Sequence, residues 1–313
     1  MLELPGRHFR WRIRGNPLSW LHQLPESEPD FILATSMVDV ATLKGLHPRL
    51  ANVPFVYYFH ENQFAYPVSK SQLDSVEPKM VQLYGALAAD KLLFNSSYNL
   101  ESFLSGIETL LNKLPDEIPP GVVETIKSKS AVLPVVVNPI ESAATKNKKL
   151  ILWNHRWEYD KAPQVFTDAL LKLNKTHADF EMALLGSRPV VKPEALIKIE
   201  NLLGNKIVVN GKVSKKEYEY YLARASIVVS TAIHEFQGLS MLEAVSAGAV
   251  PLVPDDLCYR EQYNSDYRYK PGDSDALAEK LLACLTTLPD VPDVSGWYGE
   301  KIAGDWRQLL KYS

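Results

Sequence analysis

The sequence predicts an α/β protein of two Rossmann-like domains. Short apolar segments alternate with helical stretches along the whole chain, and uniformly apolar strands separated by helices are typical of buried parallel sheets. The length of 313 residues suits two domains of ordinary size. A polar segment at 141–149 lies between the two series of strands and is predicted to be the linker. These features place an N-terminal domain at 1–145, a C-terminal domain at 146–296 and an amphipathic final helix at 297–313.

The first half contains the strands of the N-terminal sheet and an arginine-rich start. Candidate strands begin at Phe31, Phe55, Lys91 and Ala131, with helices over 80–89 and 98–113. Residues 7–15 alternate apolar side chains with Arg10, Arg12 and Arg14, so an extended chain would present one apolar and one cationic face. Two interpretations stay open: the arginines contact the phosphates of a nucleic acid, or they protect an edge strand.

The second half repeats the alternation more regularly. Strands are predicted for the segments LILWNH, FEMALLG, KIVVNG, SIVVST and VPLVP, and helices over 162–174, 193–203, 215–225, 239–247 and 274–287. Because ligands bind at the carboxyl ends of parallel strands, the polar residues that follow these strands are the candidates for a functional site.

Composition excludes several classes of protein. A net charge of −3 gives no overall basic footprint, so contact with a nucleic acid needs a local patch. The two cysteines are too few for a fold that depends on a framework of disulfides, and they favour a reducing compartment. No secretory signal and no apolar run of about 20 residues is present. The sequence therefore predicts a cytoplasmic protein with no membrane span.

The most informative segment is HEFQGLSMLEAVSAGAVPLVP, which starts at His234. It places Glu235 and Glu243 eight positions apart, one in a strand-to-helix turn and one in the second turn of the helix. Gly238 lets backbone N–H groups approach a ligand, and the helix N-terminus attracts an anion. Since carboxylates can bind hydroxyl groups, this segment predicts a site for a sugar diphosphate. The alternative is an ordinary helix with two exposed glutamates and a capping glycine.

Two cations follow the first strand of the C-terminal domain. Arg156 and Lys161 lie between the strand end and a helix start, where they could neutralise a diphosphate leaving group without a metal. A pair of surface cations is the alternative, although a helix N-terminus disfavours positive charge. Replacing Lys161 with alanine is expected to reduce turnover and to leave the melting temperature nearly unchanged. The predicted donor-binding residues are Asn154, Arg156, Lys161, Lys212, Val213, Glu235, Phe236, Gly238, Leu239, Ser240 and Glu243.

Polar side chains also end two strands of the N-terminal domain. The segment FVYYFH is followed by Glu61, Asn62 and Gln63 after its last residue, His60, and KLLFNS contains Asn95. Their position predicts a donor or acceptor pocket. The alternatives are a core histidine with its hydrogen bonds satisfied and, for 95–97, an N-cap of the next helix. The predicted acceptor-binding residues are Arg10, Arg12, Arg14, His60, Glu61, Asn62, Gln63 and Asn95.

Five segments together resemble the tRNA-queuosine α-mannosyltransferase family, whose members are retaining glycosyltransferases of the GT-B fold. The segments are LPGRHFRWRIRG, YYFHENQFAYPV, LFNSSYNLESFL, LWNHRWEYDKAP and STAIHEFQGLSMLEAVSAGAVPLVPDDLCYRE, and they cover nearly the whole chain in order. The HENQ and NHRWE strings are specific to that family, whereas the acid pair is typical of glycosyltransferases more broadly. The resemblance implies transfer of mannose from GDP-mannose to queuosine at the wobble position of a tRNA anticodon, with retention.

The same resemblance implies a GT-B architecture of two Rossmann-like domains facing a cleft, and it implies roles for individual residues. The catalytic residues would be His60, Arg156, Lys161 and Glu235, with Glu243 on the ribose and the backbone N–H groups of Gly238 and Leu239 on the diphosphate. The partners would be a tRNA and a nucleotide sugar, with no metal and no further cofactor. The final helix would cross back onto the N-terminal domain.

One departure from the family concerns the start of the chain. Members of the family have a further strand and a glycine-rich turn carrying Ser-His ahead of the segment that matches Leu4 and Pro5. The N-terminal domain is therefore expected to lack its first βα unit, which would expose a strand edge and invite self-association.

Three alternatives to the implied function remain. The same chemistry could act on a small-molecule or glycan acceptor. The chain could be a non-catalytic remnant that binds a nucleotide sugar or tRNA. A sugar-nucleotide epimerase of similar fold is the third.

Overall fold

The computed structural model describes residues 1–24, 26–67, 75–114, 117–141, 144–177 and 179–309. The chain divides into two compact units, Met1–Pro134 and Val135–Ser313. Among the described helices, none combines the length and the apolar character that crossing a bilayer requires.

The first unit is built on a parallel sheet of four strands in the order β1-β2-β3-β4. The strands are β1 (Ile32–Thr35), β2 (Phe55–Phe59), β3 (Lys91–Phe94) and β4 (Ser130–Val132). Helices α1 (Phe9–Ser19), α2 (Val40–Leu46), α3 (Glu77–Ala88), α4 (Ser97–Leu111) and α5 (Val122–Ser128) accompany them. The core includes the rings of Phe59, Phe94 and Phe103, whose centroids lie 4.4–5.4 Å apart.

The start of this unit differs from the extended chain that the arginine alternation predicts. Residues Phe9–Ser19 form helix α1, which buries Ile13 and Asn16. The Asn16 amide donates to the Met37 carbonyl oxygen at 3.0 Å and accepts from the Asp39 backbone N–H at 3.1 Å. Because Met37 and Asp39 follow β1, these contacts hold α1 at the carboxyl end of the sheet. The extended, two-faced segment predicted for 7–15 is therefore wrong.

The second unit is built on a parallel sheet of six strands in the order β10-β9-β8-β5-β6-β7. The strands are β5 (Asn147–Trp153), β6 (Glu181–Leu184), β7 (Ile207–Asn210), β8 (Ala225–Val229), β9 (Val250–Pro254) and β10 (Arg268–Tyr269). Seven helices accompany them in the described ranges: α6 (Pro163–Thr176), α7 (Glu194–Leu203), α8 (Lys215–Arg224), α9 (Leu239–Ser246), α10 (Tyr259–Gln262), α11 (Ser274–Thr286) and α12 (Gly299–Leu309). The predicted linker at 141–149 overlaps β5, which already begins at Asn147.

The strand order of this unit reverses beside β5. The chain moves from β5 outward through β6 and β7, and then returns to the other side of β5 with β8. A crevice forms at such a reversal because the connections leave in opposite directions, and ligands of open α/β sheets bind there at the carboxyl ends of the strands. The fold thus predicts a site between the ends of β5 and β8.

Candidate active site

The segments that follow β5 and β8 bring the two predicted motifs of the second unit together. Lys161 ends a short 3₁₀ turn after β5, and Glu235 lies in the loop between β8 and α9. The Lys161 Nζ atom lies 3.1 Å from Glu235 Oε2 and 3.2 Å from Asp160 Oδ2, and it donates to the His234 carbonyl oxygen at 2.8 Å. The three N–H donors of this buried lysine thus face three acceptors from the two loops.

The Glu235 carboxylate is held in one orientation by both of its oxygens. Oε2 faces Lys161, and Oε1 accepts from the backbone N–H of Phe236 at 3.0 Å. Burial alone would raise the pKa of Glu235, but the Lys161 charge and the backbone N–H of Gly238 outweigh it and bring the pKa to about 2. Glu235 is therefore ionised at neutral pH.

Arg156 is the more accessible cation of the site. Its side chain is 52% exposed, and it lies 3.1 Å from Glu158 and 3.7 Å from Asp160. Ion pairs with this much exposure contribute little to stability, typically about 0–1 kcal/mol, because water screens them. The guanidinium can consequently leave these acids for an incoming anion at small cost.

The turn into α9 requires a glycine. Gly238 has φ 65°, and a Cβ atom there would lie 2.9 Å from a ring carbon of the buried Tyr259. The first-turn N–H groups of Leu239 and Ser240 have no partner within the helix, as at any helix N-terminus. Beside Arg156 and Lys161, they supply further donors for an anion.

Of four other predicted donor residues, two lie at this site and two lie further along the same edge of the sheet. Asn154 follows β5, and its amide donates to the Ser240 carbonyl oxygen at 2.8 Å, which ties the strand end to α9. Phe236 is buried against the His234 ring, with centroids 4.7 Å apart. Lys212 and Val213 follow β7, two strands away from β5, so they share the edge of the sheet but no described contact with the Lys161–Glu235 pair.

Two residues that the sequence motifs do not single out also belong to the site. His155 is buried next to Asn154, and its Nδ1 atom lies 3.3 Å from the Ser240 hydroxyl. Tyr218, on α8, donates to Glu243 Oε2 at 2.8 Å. Position after a strand could have indicated His155, but nothing local distinguishes Tyr218 from Tyr220 and Tyr221.

Burial of His155 makes the stability of the protein depend on pH. Burial, and next the Lys161 charge, lower the pKa of His155 from 6.5 to about 4. Between these two values the unfolded chain binds a proton that the folded chain does not, so stability is lost as pH falls from 6.5 toward 4. Each such group contributes a slope of about 1.4 kcal/mol per pH unit. We expect His155→Asn to reduce the slope of the unfolding free energy between pH 7 and pH 5 by about 1 kcal/mol per pH unit, because the unfolded imidazole is only partly protonated near pH 6.5.

Urea unfolding at pH 7, 6 and 5 measures this slope. His22→Asn is the matched control, because it removes a histidine that is exposed instead of buried. Parallel slopes for wild type and His155→Asn would contradict the prediction.

The first unit positions the other predicted site residues at the end of β2. His60 protrudes beyond the strand with its ring tilted against Tyr58 at a centroid distance of 4.6 Å, and partial burial lowers the pKa of His60. Glu61 and Gln63 are half-buried and joined by a hydrogen bond of 3.3 Å. Contact of these three side chains with a substrate stays a prediction.

Two members of that predicted set have a different role. Asn62 and Asn95 are buried, and their amides are used inside the unit. Asn62 donates to Asn99 Oδ1 at 2.8 Å, Asn99 donates to Asn95 Oδ1 at 2.8 Å, and Asn95 donates to the His60 carbonyl oxygen at 2.9 Å. Asn62 and Asn95 therefore hold the loop that carries His60 in place, instead of contacting a ligand as the sequence predicted. Ser96 caps α4 by accepting from the Asn99 N–H, as the alternative reading of 95–97 predicted.

Comparisons with known proteins agree with this geometry. A family model described as "tRNA-queuosine alpha-mannosyltransferase N-terminal" matches residues 1–137, and one described as "Glycosyl transferases group 1" matches residues 138–288. The chain is 36% identical over 295 residues to the tRNA-queuosine alpha-mannosyltransferase of Drosophila melanogaster. The aligned region covers 90% of this chain and 78% of the Drosophila protein. The chain belongs to the tRNA-queuosine alpha-mannosyltransferase family. The resemblance drawn from the sequence is thereby confirmed.

Solved structures show the fold. Anabaena HepE in complex with UDP and glucose superposes with a TM-score of 0.68 at 16% identity, covering 95% of this chain and 80% of that one. TarM superposes with a TM-score of 0.64 at 14% identity, covering 95% of this chain, and the chain spans 58% of TarM. These structures show the GT-B fold that the sequence predicted, and the match to the glycosyl transferases group 1 model shows that the chain is a glycosyltransferase.

Proposed function

We propose that this chain transfers mannose from GDP-mannose to queuosine in the anticodon of a tRNA, with retention of configuration. The observation that carries the proposal is the Lys161–Glu235 pair beside the N-terminus of α9, at the point where the sheet order reverses. The name of the Drosophila relative, tRNA-queuosine alpha-mannosyltransferase, supports the mannose and the acceptor. The choice of GDP as the carrier of the mannose is part of the proposal.

The site would bind the donor through its diphosphate and its sugar. Arg156 and the first-turn N–H groups of α9 would meet the diphosphate, and Lys161 would add its charge by exchanging the Asp160 contact for a phosphate oxygen. Protein cations would then stabilise the leaving group without a metal. The ionised Glu235 would accept hydrogen bonds from sugar hydroxyls.

The geometry disfavours Glu235 as a nucleophile. Both of its oxygens already accept hydrogen bonds or an ion pair, and its pKa of about 2 makes it a weak base. Retention without a protein nucleophile fits a front-face reaction, in which the acceptor hydroxyl attacks on the side that the phosphate leaves. The leaving phosphate would take the proton of that hydroxyl.

Helix α1 is the proposed contact for the acceptor RNA. Arg10 is exposed, and the neighbouring Trp11 is 61% exposed with its indole beside Gly15, where a Cβ atom would lie 2.7 Å from the ring. Arg12 donates to the Pro5 carbonyl oxygen, whereas Arg14 is paired with Asp39 at 2.8 Å. The free charge of this helix therefore comes mainly from Arg10 and Arg12, and Trp11 offers a flat surface for a base.

Salt dependence separates these contributions. Arg10→Ala is expected to reduce the slope of log binding constant against log salt concentration by about one unit, because one phosphate contact is lost. Trp11→Ala should weaken binding of tRNA at every salt concentration and leave the slope unchanged, since stacking releases no counterions. Equal slopes for wild type and Arg10→Ala, together with unchanged affinity in Trp11→Ala, would exclude α1 as the RNA contact.

Transfer itself is tested with GDP-[14C]mannose and two preparations of one tRNA, carrying queuosine or guanosine at the wobble position. We expect label to appear in the queuosine-containing tRNA alone. Label in both preparations would make another nucleotide the acceptor. No label in either, with GDP-mannose bound, would favour a small-molecule acceptor or a non-catalytic remnant.

A further inference from the structure

Tyr218 joins three elements of the second unit through one chain of hydrogen bonds. The Asn154 amide, at the end of β5, donates to Tyr218 Oη at 3.3 Å. Tyr218 Oη donates in turn to Glu243 Oε2, on α9, at 2.8 Å. The phenol oxygen therefore accepts one hydrogen bond and donates another to the carboxylate, an arrangement in which each bond polarises the next.

The position of Tyr218 is fixed before any ligand binds. It lies in the first turns of α8, which starts with a capping box: Ser214 Oγ accepts from the Glu217 N–H at 3.3 Å, and Glu217 accepts from the Ser214 N–H at 3.0 Å. Asn154 is anchored separately through the Ser240 carbonyl oxygen. Since α8 begins after β7, Tyr218 lies at the same edge of the sheet as Glu235.

The chemistry of the phenol suits a permanent donor. Burial, and next the Glu243 charge, raise the pKa of Tyr218, so the hydroxyl stays protonated at any working pH. It occupies one carboxylate oxygen of Glu243 and leaves Oε1 for a ligand. A carboxylate held in this way presents acceptor lone pairs in one direction, which suits a pair of neighbouring hydroxyl groups such as a ribose diol.

We propose that Tyr218 is the positioning residue that makes the site selective for a ribonucleoside diphosphate, by fixing Glu243 for the ribose hydroxyls. The proposal rests on the proposed function in that the donor is a nucleoside diphosphate sugar, and it takes the ribose contact of Glu243 from the resemblance to the family. Tyr218 acts through Glu243 and need not touch the nucleotide.

The test measures binding of GDP and of 2′,3′-dideoxy-GDP by calorimetry, with no sugar and no acceptor present. The proteins are wild type, Tyr218→Phe, Glu243→Gln and the double variant. Tyr220→Phe is the matched control, because Tyr220 lies on the same helix, is 44% exposed and contacts Arg224 instead of Glu243.

We expect Tyr218→Phe to weaken GDP binding about tenfold or more, as is typical for loss of a hydrogen bond to a charged group. Its affinity for dideoxy-GDP should equal that of wild type, and Tyr220→Phe should bind both nucleotides normally. In the Glu243→Gln background the effect of Tyr218→Phe on GDP should disappear, since the two residues act as one unit.

Three results would overturn the proposal: unchanged GDP affinity in Tyr218→Phe, equal weakening of both nucleotides, or an undiminished effect in the Glu243→Gln background. These outcomes leave mannosyl transfer to tRNA untouched. Conversely, if wild type binds UDP but not GDP, the proposed donor is wrong, and the same comparison with UDP and 2′,3′-dideoxy-UDP decides the role of Tyr218.

Discussion

Replacing Lys161 with alanine is expected to reduce turnover by at least about a hundredfold, because it removes a buried positive charge from the proposed site of the leaving diphosphate. The same change should also lower stability. Lys161 is 7% exposed and pairs with both Glu235 and Asp160. Its removal leaves Glu235 without its cation and leaves Asp160 with Arg156 alone, at 3.7 Å. Breaking a buried pair by removing one partner typically costs about 3–5 kcal/mol. From the structure we therefore expect the melting temperature of Lys161→Ala to fall clearly, whereas the sequence alone suggested that it would stay nearly unchanged.

Two further variants separate chemistry from folding. Arg156→Gln should reduce turnover with little change in melting temperature, because Arg156 is half exposed and weakly paired. The double variant Lys161→Ala/Glu235→Gln should recover stability relative to Lys161→Ala and remain inactive. Single-turnover rates at a temperature where every variant is folded provide the measurement. Recovery of turnover together with stability would reduce Lys161 to a structural role.

Replacing Gly186 with alanine is expected to destabilise the second unit by at least about 3 kcal/mol, the upper part of the range for overpacking. Gly186 follows β6, and a Cβ atom there would lie 1.4 Å from the carbonyl oxygen of His155. The neighbouring backbone cannot easily yield, since the Leu185 N–H donates to the Trp153 carbonyl oxygen at 2.8 Å and the Trp157 N–H donates to the Ser187 carbonyl oxygen at 2.9 Å.

This change should also displace the loop that carries Arg156, so binding of GDP should weaken at temperatures where the variant is folded. Gly204→Ala is the matched control: Gly204 lies at the end of α7 with no atom within 4 Å of a Cβ position, and its substitution should alter stability by less than about 0.5 kcal/mol. Thermal unfolding of both variants gives the comparison. A melting temperature for Gly186→Ala equal to that of wild type would show that the two strand ends can separate freely.

The core of the candidate site could be predicted because its parts are local in sequence. Arg156 and Lys161 follow one apolar strand, and Glu235 and Gly238 follow another. A parallel sheet brings the carboxyl ends of its strands to one edge, so a strand assignment is enough to bring these residues together. The structure adds the 3.1 Å contact between Lys161 and Glu235 and the low pKa of the carboxyl.

Buried polar residues could not be distinguished from ligand-binding ones in the same way. Asn62 and Gln63 are adjacent and both amides, yet Asn62 is fully buried in contact with Asn99 while Gln63 is half-buried. Which of two neighbours points inward depends on a helix that lies 37 residues further along the chain. The role of Tyr218 similarly depends on Glu243, 25 residues away.

The sequence by itself determined the two parallel α/β sheets and the presence of cations and acids at the strand ends, because strand periodicity and glycine turns are local properties. Its motifs carried the resemblance to the family. Only the tertiary structure decided the conformation of 9–19. An alternation of arginine with apolar residues favours a strand, but burial of Ile13 and the bonds of Asn16 and Arg14 to residues after β1 stabilise a helix. Local pattern is a weak preference of a few tenths of a kcal/mol per residue, and burial with satisfied hydrogen bonds outweighs it.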